Sequence, residues 1–305
     1  MTIGIPRAFL YYRYRHLWET FFGELGVGVI VSPETNKAIL DSGEALSIDE
    51  SCLPSKIYMG HVAWLEGRCD HVLVPRVASY APDQLVCSKL WAAYDVVRNT
   101  FRAGGMGVLD YNIDYAKRRT ELAAFMRLGR RLGKRRLATL RAYLAAKRAQ
   151  REMRGRQAAR QKELLARADM PKILVVAHSY NVHDRHVGAP VLALIEKQGC
   201  LPVVAEAAER PQALRAGREA SPTLKWSHNQ ELLGAVSLYK GCVDGIALLT
   251  AFPCGPDSLV NEIIVRRTKD KPIISLVVDG LAGHAGLETR IESFADIIRF
   301  GAGKP

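Results

Sequence analysis

Three cysteines stand where thiolate chemistry is expected. Cys254 lies in Thr250-Ala-Phe-Pro-Cys-Gly-Pro-Asp-Ser258, where Pro253, Gly255 and Pro256 force an irregular turn and Asp257 and Ser258 are candidate caps for the next helix. Cys52 lies in Glu50-Ser-Cys-Leu-Pro-Ser-Lys56, with Pro54 at the expected first turn of a helix. Cys87 directly precedes a helix expected over Lys89 to Arg102. A helix start offers free N–H groups and partial positive charge, which lower a thiol's pKa and stabilise a negatively charged metal–sulfur cluster. The spacings of 35 and 167 residues differ from the close Cys-x-x-Cys pairs of zinc ribbons and ferredoxins. Only the fold could bring these thiols together, so a shared metal site and three unrelated thiols both stay open on spacing alone.

Polar residues gather in two further segments. His178-Ser-Tyr-Asn-Val-His-Asp184 and Asp279-Gly-Leu-Ala-Gly-His-Ala-Gly286 each follow an apolar run, and the second leads into Thr289-Arg290. Glycines at 280, 283 and 286 would let backbone amides approach an anionic ligand. The plainer reading makes Asn181, Asp184 and Asp279 turn and capping residues.

The elements that must position these residues alternate in type. Strands are expected over Thr2 to Ile5, Gly28 to Ser32 and His71 to Pro75, and helices over Leu10 to Leu25, Ser55 to Glu66 and Lys89 to Arg102. From about Tyr111 to Ala168 the chain is rich in Ala, Leu, Arg, Lys and Gln, and apolar residues at helical spacing predict a helical segment. After Pro171 the alternation resumes. Strands are expected over Lys172 to Ala177, Leu201 to Ala205, Gly245 to Thr250 and Ile273 to Asp279. The intervening helices are expected over Ala189 to Gln198, Gln230 to Tyr239, Ser258 to Arg267 and Glu288 to Ala295. The expected fold class is α/β: two flavodoxin-like or Rossmann-like parallel-sheet domains, 1–110 and 171–305, flanking a basic helical segment, 111–170.

In open α/β sheets ligands bind beyond the carboxyl ends of the strands. Cys69, Cys200 and Cys242 precede strands, fall on the opposite edge, and read as structural thiols. Cys52, Cys87 and Cys254 fall on the ligand-binding edge, two from the first domain and one from the second.

Composition bounds the rest. The 305 residues are 48% hydrophobic and 24% charged, enough for real cores and inconsistent with a disordered chain. No apolar run reaches the roughly 18 residues of a membrane span. Met1 to Arg7 lacks the basic flank, long apolar run and cleavage site of a secretory signal, so a cytoplasmic protein is expected. Six cysteines are too few for a disulfide scaffold in a chain this long. Between Lys117 and Arg167, 18 Lys and Arg face three acids, Glu121, Glu152 and Glu163, a net +15, so the rest of the +12 chain sums to −3.

Several motifs occur in one order: Gly4-Ile-Pro-Arg7, Glu50-x-Cys52-x-Pro54-x-Lys56 with Gly60-His61, Tyr180-Asn181-x-x-Asp184, Phe252-x-Cys254-Gly-Pro-Asp-Ser258, and Thr289-Arg290 with Phe294. Together they resemble the iron–sulfur component of the 2-hydroxyacyl-CoA dehydratase and benzoyl-CoA reductase group, especially its activase-related branch of uncharacterised function. The resemblance runs from Gly4 to about Ile297. It implies an oxygen-sensitive [4Fe–4S] protein with Cys52, Cys87 and Cys254 as ligands and one iron left open, alone or in a bridged double cluster. It further implies a partner, an ATP-hydrolysing iron–sulfur activase that delivers a low-potential electron for reductive or radical chemistry on an acyl-CoA, and pairing with a like or related subunit. Lys56, His61, His178, Tyr180, Asn181, Asp184, Asp257, Ser258, Asp279, Thr289 and Arg290 become the substrate-pocket candidates. The sequence departs from the pattern at Ser88, which follows Cys87 where proline is common, and at His178-Ser179, where Arg-Pro is common. No Gly-x-x-x-x-Gly-Lys-Ser/Thr phosphate loop occurs, so ATP hydrolysis is assigned to the partner.

Two other readings stand beside this one. The basic segment could lie non-specifically on nucleic acid, although it lacks interleaved aromatics, and a solvated face meeting an acidic partner or CoA phosphates is favoured. Three thiolates with His61 or His178 could alternatively hold zinc.

Overall fold

The computed structural model describes residues 1–280 and 286–301. The chain divides into two units, Met1–Arg154 and Gly155–Pro305. The division falls inside the basic segment rather than at its ends.

The first unit begins with β1 (Thr2–Ile5), α1 (Tyr11–Glu24), β2 (Gly28–Val31), α2 (Lys37–Ala45), α3 (Leu53–Leu65) and β3 (His71–Leu73). It continues with β4 (Arg76–Ala81), β5 (Gln84–Leu85), α4 (Ser88–Thr100), β6 (Gly107–Leu109), β7 (Asn112–Asp114), α5 (Glu121–Arg131) and α6 (Arg136–Ala166), which runs on into the second unit. Its main sheet is parallel, in the order β2-β1-β3-β6. That order is doubly wound, with its switch point between β1 and β3.

Apolar side chains dictate these elements. Leu17, Trp18, Phe21 and Phe22 form the buried stripe of α1, and the helix ends where Gly26 takes a left-handed φ of 61°. There Gly26 and Val27 donate to the carbonyls of Gly23 and Phe22, a geometry that favours glycine. β3 and β6 continue as a pair past the main sheet, through Val74 N to Leu109 O at 2.9 Å and Arg76 N to Tyr111 O at 2.9 Å. They become β4 and β7, which join β5 in a small sheet of order β5-β4-β7. Phe125 of α5 is fully buried, packing edge-on against Phe21 and beside Tyr111. The start of the basic segment is therefore part of the first unit's core.

The second unit contains β8 (Lys172–Val176), α7 (Ser179–Val182), α8 (Ala189–Lys197), β9 (Leu201–Val204) and α9 (Arg210–Ala220). It goes on through α10 (Ser227–Tyr239), β10 (Gly245–Ala251), α11 (Gly255–Arg267), β11 (Ile273–Val278) and α12 (Leu287–Gly301). Its sheet is again all parallel, in the order β11-β10-β8-β9. All seven residues of β10 are buried, as expected of a central strand covered on both faces. Leu174, Val203, Ile246, Leu248, Val260 and Ile264 belong to its core.

The α/β class with parallel sheets is therefore present in both units. The segment 111–170 is not continuously helical, because β7 lies within it and a turn separates α5 from α6. Among the described residues no helix is long and apolar enough to cross a membrane.

Candidate functional site

Cys52, Cys87 and Cys254 are the N-cap residues of α3, α4 and α11. Each of these helices has 13 residues, and in none does the cap side chain bond the helix backbone. All three cysteines are half-buried and outside any disulfide. Pro54 and Pro256 occupy the first turns of α3 and α11, where proline's missing N–H costs nothing.

In the first unit, α2 and α3 form an antiparallel hairpin. Gly43 faces the Lys56 carbonyl and Gly60 faces the Ile39 carbonyl, and a Cβ at either glycine would overlap the opposing backbone. His61 then meets Ser32, the residue just past β2, with Nδ1 2.8 Å from its Oγ. Its Nε2 lies 3.0 Å from Thr35 Oγ1. Both ring nitrogens are thus engaged, and burial first and the Arg7 charge second pull the ring's pKa down to about 3. The neutral ring ties α3 to the carboxyl end of β2. Cys52, nine residues before His61, sits about 13 Å further along the helix, beyond that sheet edge. Cys87 also lies beyond the carboxyl end, because β4 and β5 extend outward from β3 before α4 turns back toward β6.

Arg7, in the loop after β1, donates its backbone N–H to Ser32 Oγ at 2.8 Å and faces Glu34 at 3.6 Å. Lys56 is half-buried on α3.

In the second unit, His178 follows β8, and Asp257 lies in the first turn of α11, which follows β10. β8 and β10 are neighbours, so this is the switch point of the sheet. His178 Nε2 lies 2.8 Å from Asp257 Oδ1, and Asn229 Nδ2 donates to the same oxygen at 2.8 Å. Burial alone would raise the Asp257 pKa. The His178 charge and hydrogen bonds from His178, Asn229 and Cys254 outweigh it, so the carboxyl is held below its ordinary value. The Tyr180 ring stacks on His178 at 5.0 Å, and His228 meets it edge-on at 6.1 Å. A cis peptide joins Phe252 to Pro253.

The helix after β10 starts at Gly255, earlier than Asp257 or Ser258 as caps would place it. Asp257 is instead buried in the polar cluster, and exposed Ser258 donates to the Cys254 carbonyl at 2.8 Å. Asp184 is fully buried and accepts from the N–H groups of His186 and Val187, as a turn residue does. Asn181 is buried, and its Oδ1 meets no hydrogen-bond donor. Asp279 is half-buried just past β11. Thr289 is exposed on α12, and Arg290 donates to the Ser275 carbonyl midway along β11 at 2.6 Å. Gly283 lies outside the described residues.

His228 and Asn229 were not legible as site residues. A helix expected to start at Gln230 leaves them in a loop, whereas α10 starts at Ser227 and buries both.

The remaining cysteines differ from the N-cap set. Burial raises the thiol pKa of Cys69 and Cys200, and Cys69 donates to the Leu65 carbonyl at 3.4 Å. Cys242 is exposed rather than in the core, because the chain makes a short 3-10 turn there before β10. Among the described residues no group of three or more His, Cys, Asp or Glu side chains is assembled that could hold a metal ion. Cysteine thiolates are the usual ligands of iron–sulfur clusters, and each of these three stands at a helix start, where negative charge on sulfur is stabilised.

No curated protein matches the chain. Residues 2–207 match the family described as CoA enzyme activase uncharacterised domain (DUF2229). That stretch includes Cys52, Cys87 and the His178 to Asp184 segment and stops short of Cys254. With 206 of its 305 residues matched, the chain belongs to the CoA enzyme activase uncharacterised domain family.

Proposed function

We propose that this chain is the electron-accepting iron–sulfur component of a CoA-enzyme system, with Cys52, Cys87 and Cys254 as the thiolates of one [4Fe–4S] cluster. The observation that carries the reading is the placement of these three of the six cysteines, all half-buried at helix N-caps. A cluster with three thiolates has one iron without a protein ligand and supplies one-electron chemistry at that corner. The chain's own residues do the rest. The N-terminal N–H groups of α3, α4 and α11 point toward the sulfurs and stabilise negative charge there. In the metal-free chain the Cys254 thiol donates to Asp257, which His178 and Asn229 orient; as a cluster ligand Cys254 would give up that proton, leaving His178 and Asn229 to hold the carboxylate. Tyr180, half-buried and stacked on the buried His178 ring, presents a flat, partly polar face beside it for a substrate.

Family membership supports a place beside a CoA enzyme. The electron donor is an ATP-hydrolysing iron–sulfur activase, the acceptor an acyl-CoA, and the chain pairs with a like or related subunit in a cytoplasmic, oxygen-sensitive assembly. The test is anaerobic purification of the full chain, followed by iron and sulfide analysis and EPR of the reduced protein. The expected result is brown protein with about four irons and four sulfides per chain. Cys52→Ala, Cys87→Ala and Cys254→Ala lose the cluster, and Cys200→Ala keeps it. A colourless protein, a zinc protein, or equal iron in Cys254→Ala and Cys200→Ala overturns the proposal.

A further inference from the structure

The basic charge of the middle segment has a definite geometry on α6. Thr139, Ala142, Ala146 and Gln150 form the buried face within the first unit, and Gln150 donates to the Arg13 carbonyl at 2.7 Å. On the opposite side Leu137, Arg141, Leu144, Arg148 and Arg151 recur at steps of four and three. At 3.6 residues per turn they fall within about 80° of arc and span about 21 Å.

The two leucines are 72% and 54% exposed, although burying a leucine is worth about 2 kcal/mol. Arg148 pairs with Glu152 at 2.9 Å, and Arg151 donates to the Lys147 carbonyl. Arg141 meets no carboxylate among the described residues. Leucines seven residues apart with cations between them repeat the spacing by which one helix packs along another.

We propose that this stripe is a docking face for an acidic, leucine-bearing helix of a protein partner. Charge complementarity selects the acid, since the stripe lies in the +15 segment and its own acids are few. The leucines select protein over nucleic acid. A phosphate backbone offers them no apolar surface, and the stripe has no aromatic on which a base could stack. A helix lying in a membrane interface needs a continuous bulky apolar face, whereas here arginine interrupts each leucine step. The inference stands independently of the cluster.

The test uses the full chain and two synthetic helical peptides of about three heptads and equal negative charge. One carries leucine and glutamate along its seam, and in the other serine replaces leucine. Fluorescence anisotropy at about 150 mM salt is the readout. The leucine peptide is expected to bind at least about tenfold more tightly than the serine peptide. Leu137→Ser/Leu144→Ser, both exposed, should bring the two within about twofold, with unchanged circular dichroism. Arg141→Glu should weaken both peptides. Equal binding of the two peptides, binding of neither, or tighter binding of random duplex DNA or phosphatidylserine vesicles overturns the proposal.

Discussion

Acidification probes the junction between α3 and β2. His61 is fully buried, and its ring is held neutral with a pKa of about 3, against 6.5 in an unfolded chain. The charged groups near it are Arg7, which opposes protonation, and Glu34, which faces Arg7. The folded pKa lies below the unfolded one, so the unfolded chain binds the extra proton as pH falls below 6.5. Stability from this residue is complete above that pH and drains away on the way down to about 3. At 1.36 kcal/mol per unit, going from pH 7.5 to 4.5 removes about 2 to 3 kcal/mol through His61 alone. Three of the four tryptophans, Trp18, Trp64 and Trp91, lie in the first unit, so a Trp226→Phe background makes fluorescence report that unit. Urea denaturation of this parent and of a His61→Gln derivative at both pH values isolates the imidazole. The parent should lose about 2 to 3 kcal/mol more than the derivative, roughly a 1 M difference in midpoint shift. Equal losses would refute the claim that a buried neutral His61 holds α3 in place.

Helix glycines make a second contrast. Gly43→Ala should destabilise by about 1 to 3 kcal/mol, because its Cβ would overlap the Lys56 carbonyl, whereas Gly23→Ala, with nothing within 4 Å, should stabilise by about 0.5 to 1 kcal/mol. Thermal unfolding of both variants checks this, and a common sign would remove the close-approach account of the α2–α3 hairpin. At the cap of α4, Cys87→Ser should make the metal-free chain about 0.5 to 1 kcal/mol more stable than Cys87→Ala, since serine bonds the helix N–H groups and cysteine here does not. Calorimetry of the two metal-free variants would contradict the cap argument if serine gave no gain.

Most strands of the two main sheets were legible because β-branched runs between Gly and Pro have few alternatives: β1 matches its expected residues, β8 and β9 end one residue early, and the three-residue β6 was not expected. Pairs as short as β5 and β7 carry too few residues for a periodic signal and exist because β4 is there to pair with. α2 was missed although Asn36 caps it by accepting from Ile39 N, since nine residues give barely two turns of pattern. Cys52, Cys87 and Cys254 could be placed near helix starts from the prolines and strand order alone. The cluster of His178, Asp257 and Asn229 could not, because Asn229 arrives from a helix whose start the sequence set three residues late. His61, one of nine buried residues on an almost wholly apolar helix, carried no signal of its hydroxyl partners, which are 26 and 29 residues away.

Cysteine is a poor helix cap. Ser, Thr, Asp and Asn bond the free N–H groups of the first turn, and a residue that does not forgoes about 1 kcal/mol. The chain uses a bonding cap at α2 with Asn36 and at α5 with Thr120. It places cysteine, whose side chain makes no cap hydrogen bond, at the caps of α3, α4 and α11. A doubly wound sheet explains why these positions matter, since a helix that follows a strand starts beyond the carboxyl edge, where ligands bind. In the second unit Cys254 reaches that edge directly, after β10. In the first unit the chain needs an added hairpin to do so, α2–α3 for Cys52 and β4–β5 for Cys87. Natural sequences break local rules mainly where function outweighs stability. Leu10, His178, Gly188, Glu209 and Trp226 also cap helices without a side-chain bond, so what sets these cysteines apart is their place beyond the carboxyl edge, which in the first unit takes two added hairpins to reach.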